Sequence, residues 1–158
     1  MNILFVCTGN ICRSPMAEGI MKKSLWMMKM KNVAVSSAGT LALDGNKATK
    51  EAFTVARDQG VDLSGHRARL IDKEMVEKAD MICVMGLEQK EAILDEFPEA
   101  EEKICFLGKF IGGSEGSEEI QDPYGNSVYH YRLCFSEISM AVRGLVDFLQ
   151  RQKKEKLP

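Results

Sequence analysis

The chain has 158 residues, 45% of them hydrophobic, which suits a single domain (1–158) with a sizeable core. Charged residues make up 28%, but 21 basic against 23 acidic side chains leave a net charge of −2. That balance excludes a global attraction for nucleic acid or an anionic membrane, so any anion must be held by a local device.

The N-terminus enters a short apolar run with no basic leader, and no run approaches the length of a membrane span. The five cysteines, Cys7, Cys12, Cys83, Cys105 and Cys134, are odd in number and irregularly spaced. This argues against a secreted disulfide framework and for a reducing, cytoplasmic setting. No two cysteines are separated by a two-residue gap, and His66 and His130 lie far apart, so no metal site and no cofactor are expected.

In chain order, "NILFV" (2–6) reads as a buried strand. A helix is predicted over 15–30, with Pro15 in its first turn. "NVAVSSAG" (32–39) reads as a strand and "LALDGNK" (41–47) as a loop. A helix over 48–60 stops at Gly60. "SGHRARLI" (64–71) connects to a short helix over 72–79. A strand (80–86), a helix (87–97) stopped near Pro98 and a strand (103–108) follow. A Gly-, Ser- and acid-rich loop covers 112–127. A long last helix then carries Tyr131, Cys134, Phe135, Ile138, Val142, Leu145 and Leu149 on one apolar face. The charged tail 151–158 is expected to fray. Alternating strands and helices predict an α/β three-layer sandwich around a central four-stranded parallel sheet.

Ligands of such sheets bind beyond the carboxyl ends of strands. The stretch "CTGNICRSPMAE" (7–18) lies there, between the first strand and the first helix. A helix N-terminus offers unpaired N–H groups and the positive end of the dipole. Thr8 and Gly9 let the backbone wrap inward, and Arg13 adds a planar fork for two phosphate oxygens. The same surroundings favour a thiolate over a thiol, so a loop that binds phosphate also activates a cysteine at its base. Ser14 is placed to donate to that sulfur. A cysteine ending a buried strand is usually an inert packing residue. Cys7 followed after five residues by Arg13 and Ser14, between strand and helix, reverses that reading. Attack of Cys7 on phosphorus requires a proton for the leaving group, and Asp122 in "DPYG" (122–125) supplies a candidate acid and base.

These residues resemble the low-molecular-weight protein tyrosine phosphatase family. The loop 7–18 matches its signature and "DPYG" its acid loop. "SAGT" (37–40), "SGHRAR" (64–69) and "ADMICVM" (79–85) extend the likeness over essentially the whole chain. The resemblance implies Cys7 as nucleophile, Arg13 as phosphate clamp and Asp122 as general acid and base. The phosphate-binding loop is Thr8, Gly9, Asn10, Ile11, Cys12, Arg13 and Ser14. Asn10 and Ser14 would hold its shape, with Ser37 and His66 behind it. Cys12 resembles the family's second loop cysteine, which implies a reversible Cys7–Cys12 disulfide protecting the nucleophile. Cys83, Cys105 and Cys134 read as packing residues, and His130 has no role.

The substrate is divided by the sequence. A substrate wall of Ile11, Leu41, Leu43 and Tyr124 is expected. Several loops look like the bacterial branch that includes protein arginine phosphatases. That branch typically carries threonine before the second loop cysteine, where this chain has Ile11. An apolar residue there favours an aromatic leaving group. The expectation is therefore a phosphotyrosine phosphatase acting as a monomer on phosphorylated proteins, with phosphoarginine as the alternative. A thioredoxin-coupled arsenate reductase is a remote alternative, since no cysteine occurs in 86–102. A phosphate-binding module without turnover is disfavoured by the presence of Cys7, Arg13 and Asp122.

Overall fold

Strand β1 (Asn2–Cys7) alternates between two cores. Ile3, Phe5 and Cys7 face one, and Leu4 and Val6 the other, because successive strand side chains point to opposite faces. The computed structural model describes residues 1–112 and 118–155. Within it β1 joins β2 (Ala34–Gly39), β3 (Met81–Val84) and β4 (Ile104–Phe106) in one parallel sheet of order β2-β1-β3-β4. Helices α1 (Arg13–Met27), α2 (Lys50–Asp58) and α5 (Val128–Glu155) cover the first face. Helices α3 (Lys73–Lys78) and α4 (Leu87–Glu96) cover the second. This is the three-layer sandwich expected from the alternating pattern.

The chain leaves β1 on one side toward β2 and later returns on the other side as β3. The carboxyl end of β1 is therefore the switch point of the sheet, where a crevice opens. Cys7 ends that strand.

Helix α1 starts at Arg13 and ends earlier than the expected 30. Lys29 takes a left-handed φ of 55°. Lys29 N donates to Trp26 O (3.1 Å) and Met30 N to Leu25 O (2.9 Å), the paired bonds of a Schellman stop. Gly60 ends α2 in the same way, with φ 72° and its N–H on Arg57 O, as its sequence position suggested. Helix α5 continues through Glu155, so residues 151–155 of the expected charged tail are helical. They are helix formers, and Lys153 and Lys154 in the last turn complement the negative end of the dipole. Residues 156–158 lie outside the described residues, as do 113–117 of the loop expected over 112–127. Residues 98–103 and 107–110 form 3-10 turns, so the strand expected over 103–108 is confined to Ile104–Phe106.

The connector after α2 runs beside the end of β2. Gly39 N donates to Arg69 O and Ile71 N to Gly39 O, both at 2.9 Å. This brings residues 64–69 against the loop that follows β1.

Candidate active site

Helix α1 opens without a side-chain cap and without an acid in its first turn. Either would consume or neutralise the donors of that end, so the helix leaves them to the loop before it. The loop is packed tightly from behind. Thr40 N donates to Cys7 O (3.0 Å) and Leu41 N to Thr8 O (2.9 Å). A Cβ on Gly39 would stand 2.5 Å from Thr8 O and 2.9 Å from Asn10 N. Only glycine permits this approach, which is the physical content of "SAGT".

Asn10 organises the loop. It is fully buried, with φ 55°, a conformation that Asn tolerates better than most residues. Its Nδ2 donates to Ser14 Oγ (2.8 Å) and Ser37 Oγ (3.0 Å), and its Oδ1 accepts from Arg69 N (2.9 Å). Its carbonyl accepts from His66 Nε2 at 2.7 Å. Ser37 Oγ in turn donates to Glu18 Oε2 at 2.5 Å.

Two donors converge on the Cys7 sulfur: Asn10 N at 3.2 Å and the Ser14 hydroxyl at 2.9 Å. Ser14 already accepts from Asn10, so its one proton is free for the sulfur or for Ala38 O at 3.3 Å. A thiolate is the better acceptor of the two.

Arg13 is buried with 6% exposure. Its Nη1 donates to Ile120 O (2.9 Å), and its Nη2 lies 3.3 Å from Asp122 Oδ2. Its Nε is buried with no hydrogen-bond partner among the described residues. A buried unpaired donor of this kind is costly and suits an oxyanion neighbour. Asp122 accepts from Tyr124 N at 3.1 Å, in a turn completed by Gly125 at φ 79°. The Asp-Pro pair thus starts a turn and also aims a carboxylate at Arg13.

A pocket of about 230 Å³ is lined by Cys7, Thr8, Gly9, Ile11, Cys12, Arg13, Asp122 and Tyr124. The structure brings together the expected nucleophile, clamp and acid with two of the four expected wall residues. Leu41 and Leu43 are both 71% exposed and stand outside this lining, because the 40–46 turn follows the backbone of the loop rather than its mouth.

Cys12 faces away from solvent, with Thr49 Oγ1 and Tyr131 Oη each 3.4 Å from its sulfur. Burial pushes its thiol above the ordinary value, against those two hydrogen bonds. Burial, with the bond to Cys12, also pushes the Tyr131 hydroxyl up. All five cysteines are free and buried. Cys83 and Cys105 are in direct register on β3 and β4, with sulfurs 3.6 Å apart.

Several contributors escaped sequence reasoning. Gln89, 2% exposed on the first turn of α4, donates from Nε2 to Thr8 Oγ1 at 2.9 Å. Glu18, Arg69, Thr49, Tyr131 and Ile120 contact the site residues as described. Nothing in the sequence separates Gln89 from an ordinary polar residue at the start of a helix.

The model of the family described as low molecular weight phosphotyrosine protein phosphatase matches residues 2–155. A protein-arginine-phosphatase of Geobacillus stearothermophilus is 34% identical over 151 residues, covering 96% of this chain and 97% of its own length. A probable low molecular weight protein-tyrosine-phosphatase, EpsP, of Ralstonia solanacearum is 35% identical over 149 residues, 94% of each chain. Among solved structures, the YwlE arginine phosphatase of G. stearothermophilus superposes with a TM-score of 0.89 at 34% identity, covering 99% of this chain and 97% of that one. A low molecular weight protein tyrosine phosphatase from T. tengcongensis gives 0.86 at 35% identity, over 93% and 98%. The chain belongs to the low molecular weight phosphotyrosine protein phosphatase family, whose members are cysteine-dependent phosphatases.

Proposed function

We propose that this protein hydrolyses phosphotyrosine in protein substrates. The observation that carries the choice of substrate is the wall of the pocket. Ile11 and Tyr124 stand beside Cys7 and Arg13 in its lining, and together they suit a flat apolar ring better than a polar guanidinium group.

In the first step the Cys7 sulfur attacks phosphorus in line. The S–P bond forms as the P–O bond to the phenol breaks, and protonated Asp122 donates its proton to the departing oxygen. Arg13 and the loop N–H groups hold the three equatorial oxygens, where charge is spread in the transition state. In the second step Asp122, now a carboxylate, takes a proton from water. The water attacks phosphorus, the S–P bond breaks, and inorganic phosphate leaves with the Cys7 thiolate restored. Asn10, Ser14, Ser37 and His66 keep the loop in shape throughout. Five free thiols support a reducing cytoplasm.

Phosphoarginine is the second reading. It is favoured by the full-length likeness to proteins named arginine phosphatases. The deciding experiment is side-by-side hydrolysis of a phosphotyrosine peptide and a phosphoarginine peptide, with Cys7→Ser as control. A clear phosphotyrosine preference supports the wall formed by Ile11 and Tyr124 as the selector. A clear phosphoarginine preference overturns it.

A further inference from the structure

Helix α4 begins without a cap of its own. Its N-cap residue is Gly86, whose extended backbone (φ −169°) would suit any residue and which has no side chain to accept from the first turn. The acceptor arrives from far along the chain: Leu87 N donates to Glu119 Oε1 at 2.9 Å. The next residue, Ile120, is 1% exposed. Its N–H donates to Met85 O (2.8 Å), and its carbonyl receives Arg13 Nη1 (2.9 Å). Two residues later Asp122 meets Arg13 Nη2.

A glycine makes room for this segment: Gly108, which follows β4. A Cβ on Gly108 would stand 2.3 Å from Glu118 O, so only glycine lets the backbone of residue 118 lie there. The Glu119 carboxyl carbon lies 3.5 Å from where a Gly86 Cβ would be. Residues 118–120 therefore rest on the carboxyl ends of β3 and β4, pinned at one end to α4 and at the other to the guanidinium of the phosphate loop.

We propose that Glu119 is a positioning residue that caps α4 and thereby seats the acid loop, fixing the Ile120 carbonyl on Arg13 and the reach of Asp122 toward the leaving group. A carboxylate at a helix N-terminus is favourable in itself. A cap needed only for the helix, however, would sit at residue 86. Supplying it from residue 119 couples the start of α4 to the placement of Asp122. The inference rests on Asp122 as the general acid.

The test is kcat/KM of the full chain on two aryl phosphates. p-Nitrophenyl phosphate has a leaving group that needs little protonation, and phenyl phosphate has one that needs it. Glu119→Ala is expected to lose about tenfold on phenyl phosphate, a fraction of a full general-acid contribution, and little on p-nitrophenyl phosphate. Glu119→Gln keeps a carbonyl acceptor and stays near the parent. The double variant Gly86→Ser with Glu119→Ala returns a local cap; its added Cβ meets neighbours at ordinary contact distance. It should regain the melting temperature but not the phenyl phosphate rate. Recovery of that rate in the double variant, an equal loss on both substrates in Glu119→Ala, or no loss on either would overturn the proposal. Asp122→Ala run alongside separates the two claims. If it lacks the leaving-group dependence, the acid assignment fails and the role of Glu119 with it. If it has the dependence while Glu119→Ala does not, the role of Glu119 alone fails.

Discussion

The guanidinium of Arg13 and the carboxylate of Asp122 lie 3.3 Å apart, the first 7% and the second 49% exposed. The clamp and the acid of the proposed mechanism are thus paired with each other across the mouth of the pocket. An incoming phosphate must share Arg13 with that carboxylate. A half-exposed ion pair contributes up to about 1 kcal/mol, roughly a fivefold effect on binding. Asp122→Asn removes the competing charge and the proton donor together. It should bind inorganic phosphate or vanadate up to about fivefold more tightly, while kcat falls roughly a hundredfold or more. Competitive inhibition constants measure the first effect and steady-state turnover the second. Weaker oxyanion binding by Asp122→Asn would contradict this account of the pair.

Asn10 holds the loop by three side-chain hydrogen bonds at a left-handed φ. Asn10→Ala would leave Ser14, Ser37 and the Arg69 N–H short of a buried partner and put a less suited residue at that φ. The expected loss of stability is about 2–4 kcal/mol, with turnover lost as well. Urea unfolding checks it, and a loss below about 1 kcal/mol would show that the loop keeps its shape without Asn10.

Burial pushes the Cys134 thiol up to about 12, from an ordinary 9.0. The folded state therefore prefers the neutral thiol, and the unfolded chain ionises first as pH rises. The sign follows: this contribution is complete below about pH 9 and is lost as pH climbs from there toward about 12. Tyr131 acts in the same direction. Cys134→Ala should make the alkaline fall in unfolding free energy shallower, by at most about 1.4 kcal/mol per pH unit. An unchanged slope between parent and variant would contradict it.

If Ile11 selects the leaving group, Ile11→Thr should raise the phosphoarginine rate relative to phosphotyrosine. Parallel kcat/KM values on the two peptides check this. No relative gain would show that Ile11 is not the discriminator.

Cys7, Arg13 and Ser14 can be read together in the sequence because their spacing is local, whereas the Asp-Pro pair is a weak signal alone and Asp122 rests on the family resemblance. The sheet was legible because β1 and β3 are short apolar runs between helical patterns. What stayed hidden depends on contacts between distant segments. Gln89 reaches Thr8 across 81 residues, and Tyr131 reaches Cys12 across 119. In sequence these residues look like any helical Gln and any core-facing Tyr. The end of α1 was misread because Lys29 occupies the left-handed stop where glycine would have signalled it. A charged tail also makes a good exposed helix, so composition alone does not mark where α5 ends. The family resemblance implied a wall at Leu41 and Leu43, but the start of that turn is tied to the loop by backbone bonds from Thr40 and Leu41.

The central claim is that Cys7 becomes phosphorylated during turnover. The most direct measurement is rapid acid quenching of the enzyme with p-nitrophenyl phosphate, followed by peptide mass spectrometry. The account predicts one phosphoryl group on the Cys7 sulfur of the parent enzyme, and loss of turnover with no phosphocysteine in Cys7→Ser. Turnover by Cys7→Ser at the parent's rate, or a phosphoryl group on a residue of the parent other than Cys7, would contradict it.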